Sequence, residues 1–408
     1  MFNLKLNWRK VAEMDDGFPG SIGAGPKLEV VPQDEGSLYK VPYTTILEIN
    51  PHEKADRLEF ATVYGFQVIV PKGRYKVGDK AIYIPIDSIL PDKLEELIFP
   101  PDAKIKLHHH RVRQIRIRGM ASQGMLIQPS EIASIVNPDY LTLEMDLKTI
   151  LGITKYEPPQ TGPSRTNAGQ PRNKKTDHPL FHKYNGLNNI KWFPNMFKEG
   201  DLVHIQEKLH GTNARASVLP FRANTLKKKL MKFFRLAPAV ENCYGSNNVE
   251  ISSKRSYNGY YGEDVYGSTF EKLKVFDKLA LGETVYGEII GPNIQKNYDY
   301  GLNEPKFVLF DVKRLNPDGT QTWLSPKEVM AFAIERGFET VPLVYAGPFN
   351  KEMTYTLTKG PSLYDPKQKV REGIVIKATE NYSIEGNKQA LKWVSEDYLD
   401  DKSNTDFH

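Results

Sequence analysis

The chain is nearly devoid of cysteine, with Cys243 the single one in 408 residues. That excludes an intramolecular disulfide and any cysteine-rich zinc site, and it suits a reducing compartment. No stretch approaches the ~18 consecutive apolar residues of a membrane span. The segment Met1–Lys10 mixes charge into every turn, where a secretory signal would carry an apolar core. We therefore expect an intracellular protein, cytoplasmic or nuclear, with no membrane partner. Internal repeats and long low-complexity tracts are also missing. So is a strong charge of one sign: 55 Lys plus Arg face 50 Asp plus Glu, a net +5. The excess is unevenly spread, however. Lys104, Lys106, Arg111, Arg113, Arg116 and Arg118 form one run without an acidic residue, and Arg222, Lys227, Lys228, Lys229, Lys232 and Arg235 form a second. One such run is usually a solvated face, but two in one chain point to a polyanionic partner.

The length predicts two domains. From 39 to about 128, in a first domain taken as 39–157, the chain is written mainly in short apolar runs separated by turn signals: Val41–Ile49, Phe60–Tyr64, Phe66–Val70, Lys80–Ile86, Arg111–Arg118 and Gly124–Ile127. A switch of apolar parity between Val112 and Ile115 suggests a β-bulge. Five or six strands in this length suit an OB-type β-barrel, with an SH3-like barrel as the competitor. The segment 158–176 is rich in Pro and Gly and almost without apolar side chains, so it reads as a linker. Residues 1–38 show no pattern and stay unassigned. Residues 177–408 read as a second, mixed α/β domain, which makes the whole an α+β multidomain protein. In that domain Ser325-Pro-Lys-Glu328 is a capping box opening a helix over Val329–Arg336, and Ser268-Thr-Phe-Glu271 a second one opening Lys272–Leu281. Phe307–Lys313 and Gln321–Leu324 read as a hairpin. The basic run after Arg222 suggests an amphipathic helix that grips nucleic acid, or one whose Leu226, Leu230 and Phe234 pack inward.

The chemistry concentrates in Glu207-Lys-Leu-His-Gly-Thr-Asn213, after the strand-like Asp201–Gln206. A lysine at a strand end before a glycine turn is a candidate nucleophile, although the bland alternative is a surface lysine. Three further segments follow in order: Val285-Tyr-Gly-Glu-Ile-Ile-Gly291, Phe307-Val-Leu-Phe-Asp311 and Arg371-Glu-Gly-Ile-Val-Ile-Lys377. Ala390-Leu-Lys-Trp393 closes the set. This ordered set resembles the nucleotidyltransferase motifs of covalent ligases and capping enzymes. Lys-x-His-Gly, with Glu207 before the lysine, looks like RNA ligases of the T4 RNA ligase 2 kind. In the first domain, His52–Glu59, Gly65–Gly73, Gly78–Ser88, Arg116–Gly124 and Ile153–Pro158 resemble the N-terminal OB domain of Deinococcus- and Naegleria-type RNA ligases. The short stretch after Lys392 leaves no room for a C-terminal OB domain, as that group would lead one to expect.

The resemblance implies an ATP-dependent RNA ligase. Lys208 would be the nucleophile that takes AMP from ATP, and Glu372 would orient Mg²⁺ (or Mn²⁺). Around the nucleotide it implies Glu207 on the adenine amino group, Glu288 on a ribose hydroxyl and Phe310 on the base face. His210, Gly211 and Asn213 would flank the lysine, with Lys392 on the α-phosphate. Relatives often carry Lys-x-Lys where this chain has Ala390-Leu-Lys392, so Lys388 is a candidate replacement. Arg111, Arg113, Arg116 and Arg118 would touch phosphates, as would Arg215 or Arg255. The expected partner is RNA with 3′-hydroxyl and 5′-phosphate ends, at a nick in a duplex, served by a monomer in RNA repair. A DNA ligase, a capping-type nucleotidyltransferase and a non-catalytic RNA-binding protein are the alternatives. Adjacent His108, His109 and His110 cannot all face one ion, which favours a solvated loop over a metal site.

Overall fold

The computed structural model describes residues 38–99, 107–156, 178–223, 226–234, 238–247, 250–252, 264–384 and 387–400, which belong to one compact unit. The extension before Leu38, the expected linker 158–176, Lys104, Lys106, Arg235 and Arg255 lie outside the described residues.

The first domain is built from short strands: β1 (Tyr43–Thr45), β2 (Glu48–Pro51), β3 (Leu58–Val63), β4 (Phe66–Pro71), β5 (Lys80–Ile84) and β6 (Ser88–Ile89). After helix α1 (Asp92–Ile98) come β7 (Ile115–Ile117), β8 (Met120–Ser122), β9 (Met125–Ile127) and β10 (Thr154–Lys155). They pair as β1-β5-β9, β2-β3-β4, β7-β8 and β10-β6. Strict alternation places Phe66, Val68 and Val70 of β4 inward and exposes Gln67 and Pro71. The expected single strand Val41–Ile49 is two, separated by Ile46 and Leu47. The expected strand Arg111–Arg118 shrinks to Ile115–Ile117, because Arg111 turns inward to Asp87 and Arg118 adopts a φ of 50°.

The second domain holds β11 (Asn188–Asn189), β12 (Leu202–Lys208), β13 (Thr212–Pro220), α2 (Leu226–Phe233), β14 (Val240–Gly245), β15 (Glu250–Ser252) and α3 (Val265–Lys272). Next come β16 (Glu283–Ile290), β17 (Lys306–Leu315), β18 (Gln321–Trp323), α4 (Pro326–Arg336), β19 (Leu343–Pro348) and α5 (Lys351–Leu357). The chain ends with β20 (Gly373–Ala378), β21 (Ser383–Ile384), β22 (Asn387–Lys388), β23 (Ala390–Val394) and α6 (Glu396–Asp400). A five-stranded sheet, β11-β23-β20-β12-β19, faces a six-stranded antiparallel one, β15-β14-β13-β16-β17-β18. Helices α3 and α4 cover the larger sheet through Val265, Phe270, Val329 and Phe332. Val203, Ile205, Ile374, Ile376 and Leu391 form the outer core of the smaller sheet.

The Ser325 capping box is formed as read, and Gly337 ends α4 in the left-handed region. The second box is a correction: Ser268–Glu271 lies inside α3. Asp264 accepts from Gly267 N and starts that helix a full turn earlier. Leu230 and Phe234 are also corrected as inward-facing residues, being 48% and 62% exposed.

One side chain ignores the domain boundary. Trp192, assigned by sequence to the second domain, is buried in the barrel core, with its ring 4.9 Å from Tyr64, 5.0 Å from Phe66 and 5.7 Å from Tyr83. Removing it leaves a cavity between the domains. Trp192→Ala is expected to cost about 3–5 kcal/mol, seen in urea unfolding as an earlier transition of the barrel; an unchanged midpoint would show that the contact is superficial.

Candidate active site

The chain crosses from the five-stranded to the six-stranded sheet within Leu209, His210 and Gly211, between β12 and β13. The crossing is tight: a Cβ on Gly211 would lie 2.4 Å from Ile289 O and 2.8 Å from Glu288 Cγ. Only glycine fits, and the constraint sets Lys208 at the junction of the sheets. Because Val203 and Ile205 point into the outer core, alternation puts His204, Gln206 and Lys208 on the opposite face of β12, toward β17. Register adds Val375 and Lys377 of β20 and Ala390 and Lys392 of β23 to that face.

Lys208 Nζ donates to Glu372 Oε1 at 2.5 Å. Glu372 is buried, and its second oxygen lies 3.7 Å from His210 Nδ1. Lys392, two strands away, is pushed down to about 8, first by burial and then by the Lys208 charge; Lys155 of the barrel acts in the same direction. Glu288 is paired in register with Asn213 and pushed up to about 8, chiefly by burial, with Glu372 adding to the rise and Lys208 opposing it. Two buried acceptors here have no hydrogen-bond partner among the described residues, Glu207 Oε1 and Asn213 Oδ1. The other Glu207 oxygen accepts from Leu363 N at 2.7 Å, and burial raises this carboxyl above its usual range.

His210 is placed differently from a residue exposed to an incoming strand. It is 5% exposed and sits edge-on to Tyr298 and Tyr398, ring centroids 4.9 and 5.5 Å away, while its backbone N donates to Tyr300 Oη at 2.7 Å. It thus supports the turn and faces Glu372 from behind.

Phe310 is the extra residue of a β-bulge. Asp311 pairs with Tyr286 and Leu309 with Gly287, leaving Phe310 unopposed. Its freed carbonyl accepts from Lys377 Nζ at 2.6 Å, and the Tyr184 ring meets its own edge-on at 4.8 Å. Asp311, fully buried, accepts from Lys377 Nζ (2.9 Å), Tyr184 Oη (2.6 Å) and Tyr382 Oη (2.9 Å). Neither Asp311 nor Lys377 was singled out by sequence, although both stand in the quoted motifs. The available signal was a charge at an inward position of an otherwise apolar strand.

Several expected contacts are corrected. Lys388 is fully buried, donates to Asn185 O at 2.8 Å and lies 3.7 Å over the Tyr184 ring. Arg111 is 4% exposed, bound to Asp87 at 2.7 Å and stacked 3.5 Å over Tyr156. Arg215 is 1% exposed against Phe181 and Ser246 O. Arg116 pairs with Asp397 and Asp400 of α6. Of the barrel arginines, Arg113 is half-buried, while Arg118 is exposed and reaches Lys54 O at 3.0 Å. Among the described residues no His, Cys, Asp or Glu cluster is formed for a metal, and His110 pairs with Glu95 at 2.7 Å.

The comparisons agree with this geometry. The RNA ligase family model matches residues 201–394, within the second domain, and an OB-fold domain model matches residues 41–129. Among solved structures, a Naegleria gruberi RNA ligase mutant with ATP and Mn shares 22% identity at a TM-score of 0.64, covering 88% of this chain and 98% of its own. The Naegleria gruberi RNA ligase with PPi gives 22% and 0.65, covering 89% and 98%. Another mutant of that ligase, with AMP and Mn, gives 22% and 0.64, covering 88% and 97%. No curated protein sequence matches the chain. The fold is thus an N-terminal OB-type barrel followed by an α/β ligase domain. No helix among the described residues is long and apolar enough to cross a membrane.

Burial pushes Lys388 down to about 7. Below that pH both folded and unfolded chains carry its proton. Above it the folded chain releases the proton while the unfolded one, near pKa ~10.4, keeps it. Stability therefore rises with pH through this window, by at most ~1.4 kcal/mol per pH unit. In Lys388→Met that contribution vanishes, so urea unfolding at about pH 7 and about pH 9 should show the wild type gaining on the variant by up to ~2.7 kcal/mol. Parallel pH profiles would refute the assignment.

Proposed function

We propose that this chain, whose second domain matches the RNA ligase family model, is an ATP-dependent ligase that seals RNA 3′-hydroxyl and 5′-phosphate ends through an adenylate on Lys208. The observation that carries the reading is the Lys208–Glu372 contact at the junction of the two sheets, beside Glu288 and Lys392. A lone surface lysine would have none of these neighbours.

The residues present fit the nucleotide. Glu207 Oε1 is a buried acceptor still to be satisfied, suited to the amino group of adenine, and a buried acceptor without a donor costs about 1–3 kcal/mol until one arrives. Glu288 would take a ribose hydroxyl, Phe310 the base face, Asn213 Oδ1 a further donor, and Lys392 the α-phosphate. Glu372 is the carboxylate placed to hold a divalent cation, Mg²⁺ or Mn²⁺, whose charge would offset that building on the α-phosphate. With a cation held there, Glu372 would no longer pair with Lys208, and only the neutral amine is nucleophilic.

Three transfers follow. The Lys208 amine attacks the α-phosphorus of ATP; the N–P bond forms, the bond to pyrophosphate breaks, and the amine proton leaves. An oxygen of the RNA 5′-phosphate then attacks the same phosphorus, releasing Lys208. Finally the RNA 3′-hydroxyl attacks the 5′-phosphate, losing its proton and expelling AMP. A nick in a duplex is the substrate we assign, and repair of broken RNA the role; we take the working unit as a monomer. The barrel's exposed Arg118 is the arginine left for strand contact.

Incubation with α-labelled ATP and a divalent cation, then denaturation, should leave acid-labile label on the wild type and none on Lys208→Ala. Glu372→Gln should slow labelling at least about a hundredfold, and α-labelled GTP should give none. Folded protein free of bound AMP that takes no label would refute the reading.

A further inference from the structure

The barrel touches the ligase domain at a particular place, the short helix α6 that directly follows the strand carrying Lys392. Two barrel side chains, Arg116 and Gln114, hold α6. Arg116 pairs with Asp400 and, at 3.4 Å, with Asp397. Gln114 Nε2 donates to Glu396 O at 3.0 Å and to Asp400 Oδ1 at 2.8 Å, while its Oε1 accepts from Gln123 Nε2 at 2.8 Å. Gln123 in turn binds Lys191, whose Nζ is 3.6 Å from Glu396 Oε1. Gln114 and Gln123 are 9% and 4% exposed. The contact is therefore a buried polar network with an ion pair at its edge, and such a network is costly to break.

From α6 two contacts lead into the site. Ser395 N donates to Glu372 O at 2.9 Å, which ties the start of the helix to the backbone of the carboxylate that holds Lys208. Tyr398, 1% exposed, packs its ring against His210, with its hydroxyl 3.5 Å from both ring nitrogens. His210 is the residue that backs Glu372 at 3.7 Å. The helix thus sits between the barrel on one side and both supports of Glu372 on the other.

We infer that the barrel takes part in lysine adenylylation by holding α6, and that Arg116 and Gln114 are positioning residues for Glu372 and His210 rather than contacts to RNA. The inference rests on the ligase reading above. It separates two roles that the sequence could not. An arginine that only binds RNA phosphate is idle until RNA arrives, whereas one that shapes the Glu372 site is felt in the first transfer, with ATP alone.

The test is lysine labelling by α-labelled ATP without RNA, comparing the full-length wild type with the double variant Arg116→Ala/Gln114→Ala. We expect the rate at saturating ATP to fall about tenfold with the ATP KM nearly unchanged and the protein still folded at the assay temperature. Tyr398→Phe, which keeps the ring, should move the rate in the same direction. The exchange Arg116→Asp with Asp400→Arg should recover much of the rate lost by Arg116→Asp alone. Labelling equal to wild type in the double variant, with only RNA sealing reduced, would overturn the inference and return Arg116 to strand binding. A loss that merely tracks unfolding, or no recovery in the exchanged pair, would overturn it as well. Absence of label from the wild type would remove the ligase reading itself, and the inference with it.

Discussion

Asp311 is the charge on which the two sheets of the ligase domain depend. It is fully buried on β17 and meets Lys377 of β20, Tyr184 from the segment before β11, and Tyr382 from the turn before β22. A buried carboxylate stripped of its partners is strongly unfavourable, by about 3–5 kcal/mol when one partner of a pair is removed. Each of those partners is therefore held in place as firmly as it holds Asp311. Replacement of the whole network by apolar residues of equal volume would join the sheets at least as well. The network adds geometry: Lys377 also takes the carbonyl that the bulge at Phe310 releases, so the same ammonium that neutralises Asp311 aims the aromatic ring toward the site.

The surroundings of that network are rich in bases whose charged form burial disfavours. Lys377, Lys388 and Lys313 are all lowered by burial, the last to about 8, and His204 is pushed down to about 4. Desolvation leads each of these shifts, and mutual repulsion adds to those of Lys388 and His204. At the junction itself an acid joins them: Glu288 is raised and Lys392, like the other lysines, is lowered, each toward neutrality. A cleft whose acids and bases both lie near the middle of the pH scale adjusts its protonation cheaply when a polyanion and its counter-cation enter. That is the electrostatic setting a phosphoryl-transfer site needs, and it arises here from placing carboxylates and lysines between two sheets rather than from any one residue.

Much of this was legible in the sequence, and the rest failed for identifiable reasons. The strand carrying Lys208, the crossing at Gly211 and the box at Ser325 are local patterns, in which the residues that decide the structure are neighbours. Arg111 and Arg116 were read as phosphate contacts because a basic run without acidic residues looks like an open face, and Arg215 because the resemblance implied a phosphate contact there. Their partners are far along the chain: Asp87 for Arg111, Asp397 and Asp400 for Arg116, the Phe181 ring for Arg215. Counting charges within a run cannot find a carboxylate that folding brings from elsewhere. The start of α3 was misplaced for a related reason, since Ser268 and Asp264 both offer a cap and only packing chooses Asp264. Glu207 and Lys208 were legible as a pair, but the alternation of β12 separates their side chains, and Leu363, which fixes Glu207, is beyond any local pattern.

The position of Trp192 bears on what a domain is in this chain. By sequence the ligase domain begins before it, yet its indole completes the barrel core against Tyr64, Phe66 and Tyr83, and the neighbouring Lys191 O accepts from Gly65 N at 2.7 Å. A Cβ on Gly65 would fall 2.9 Å from Lys191 Cα, so the backbones touch where only a glycine permits it. Lys191 also reaches Gln123 and Glu396, so the backbone contact and the α6 network are joined through one residue and hold the barrel along a continuous contact. The barrel is thereby fixed against the strand that bears Lys392, with Lys155 close enough to lower that lysine. In this geometry the first domain belongs to the electrostatics of the proposed nucleotide site.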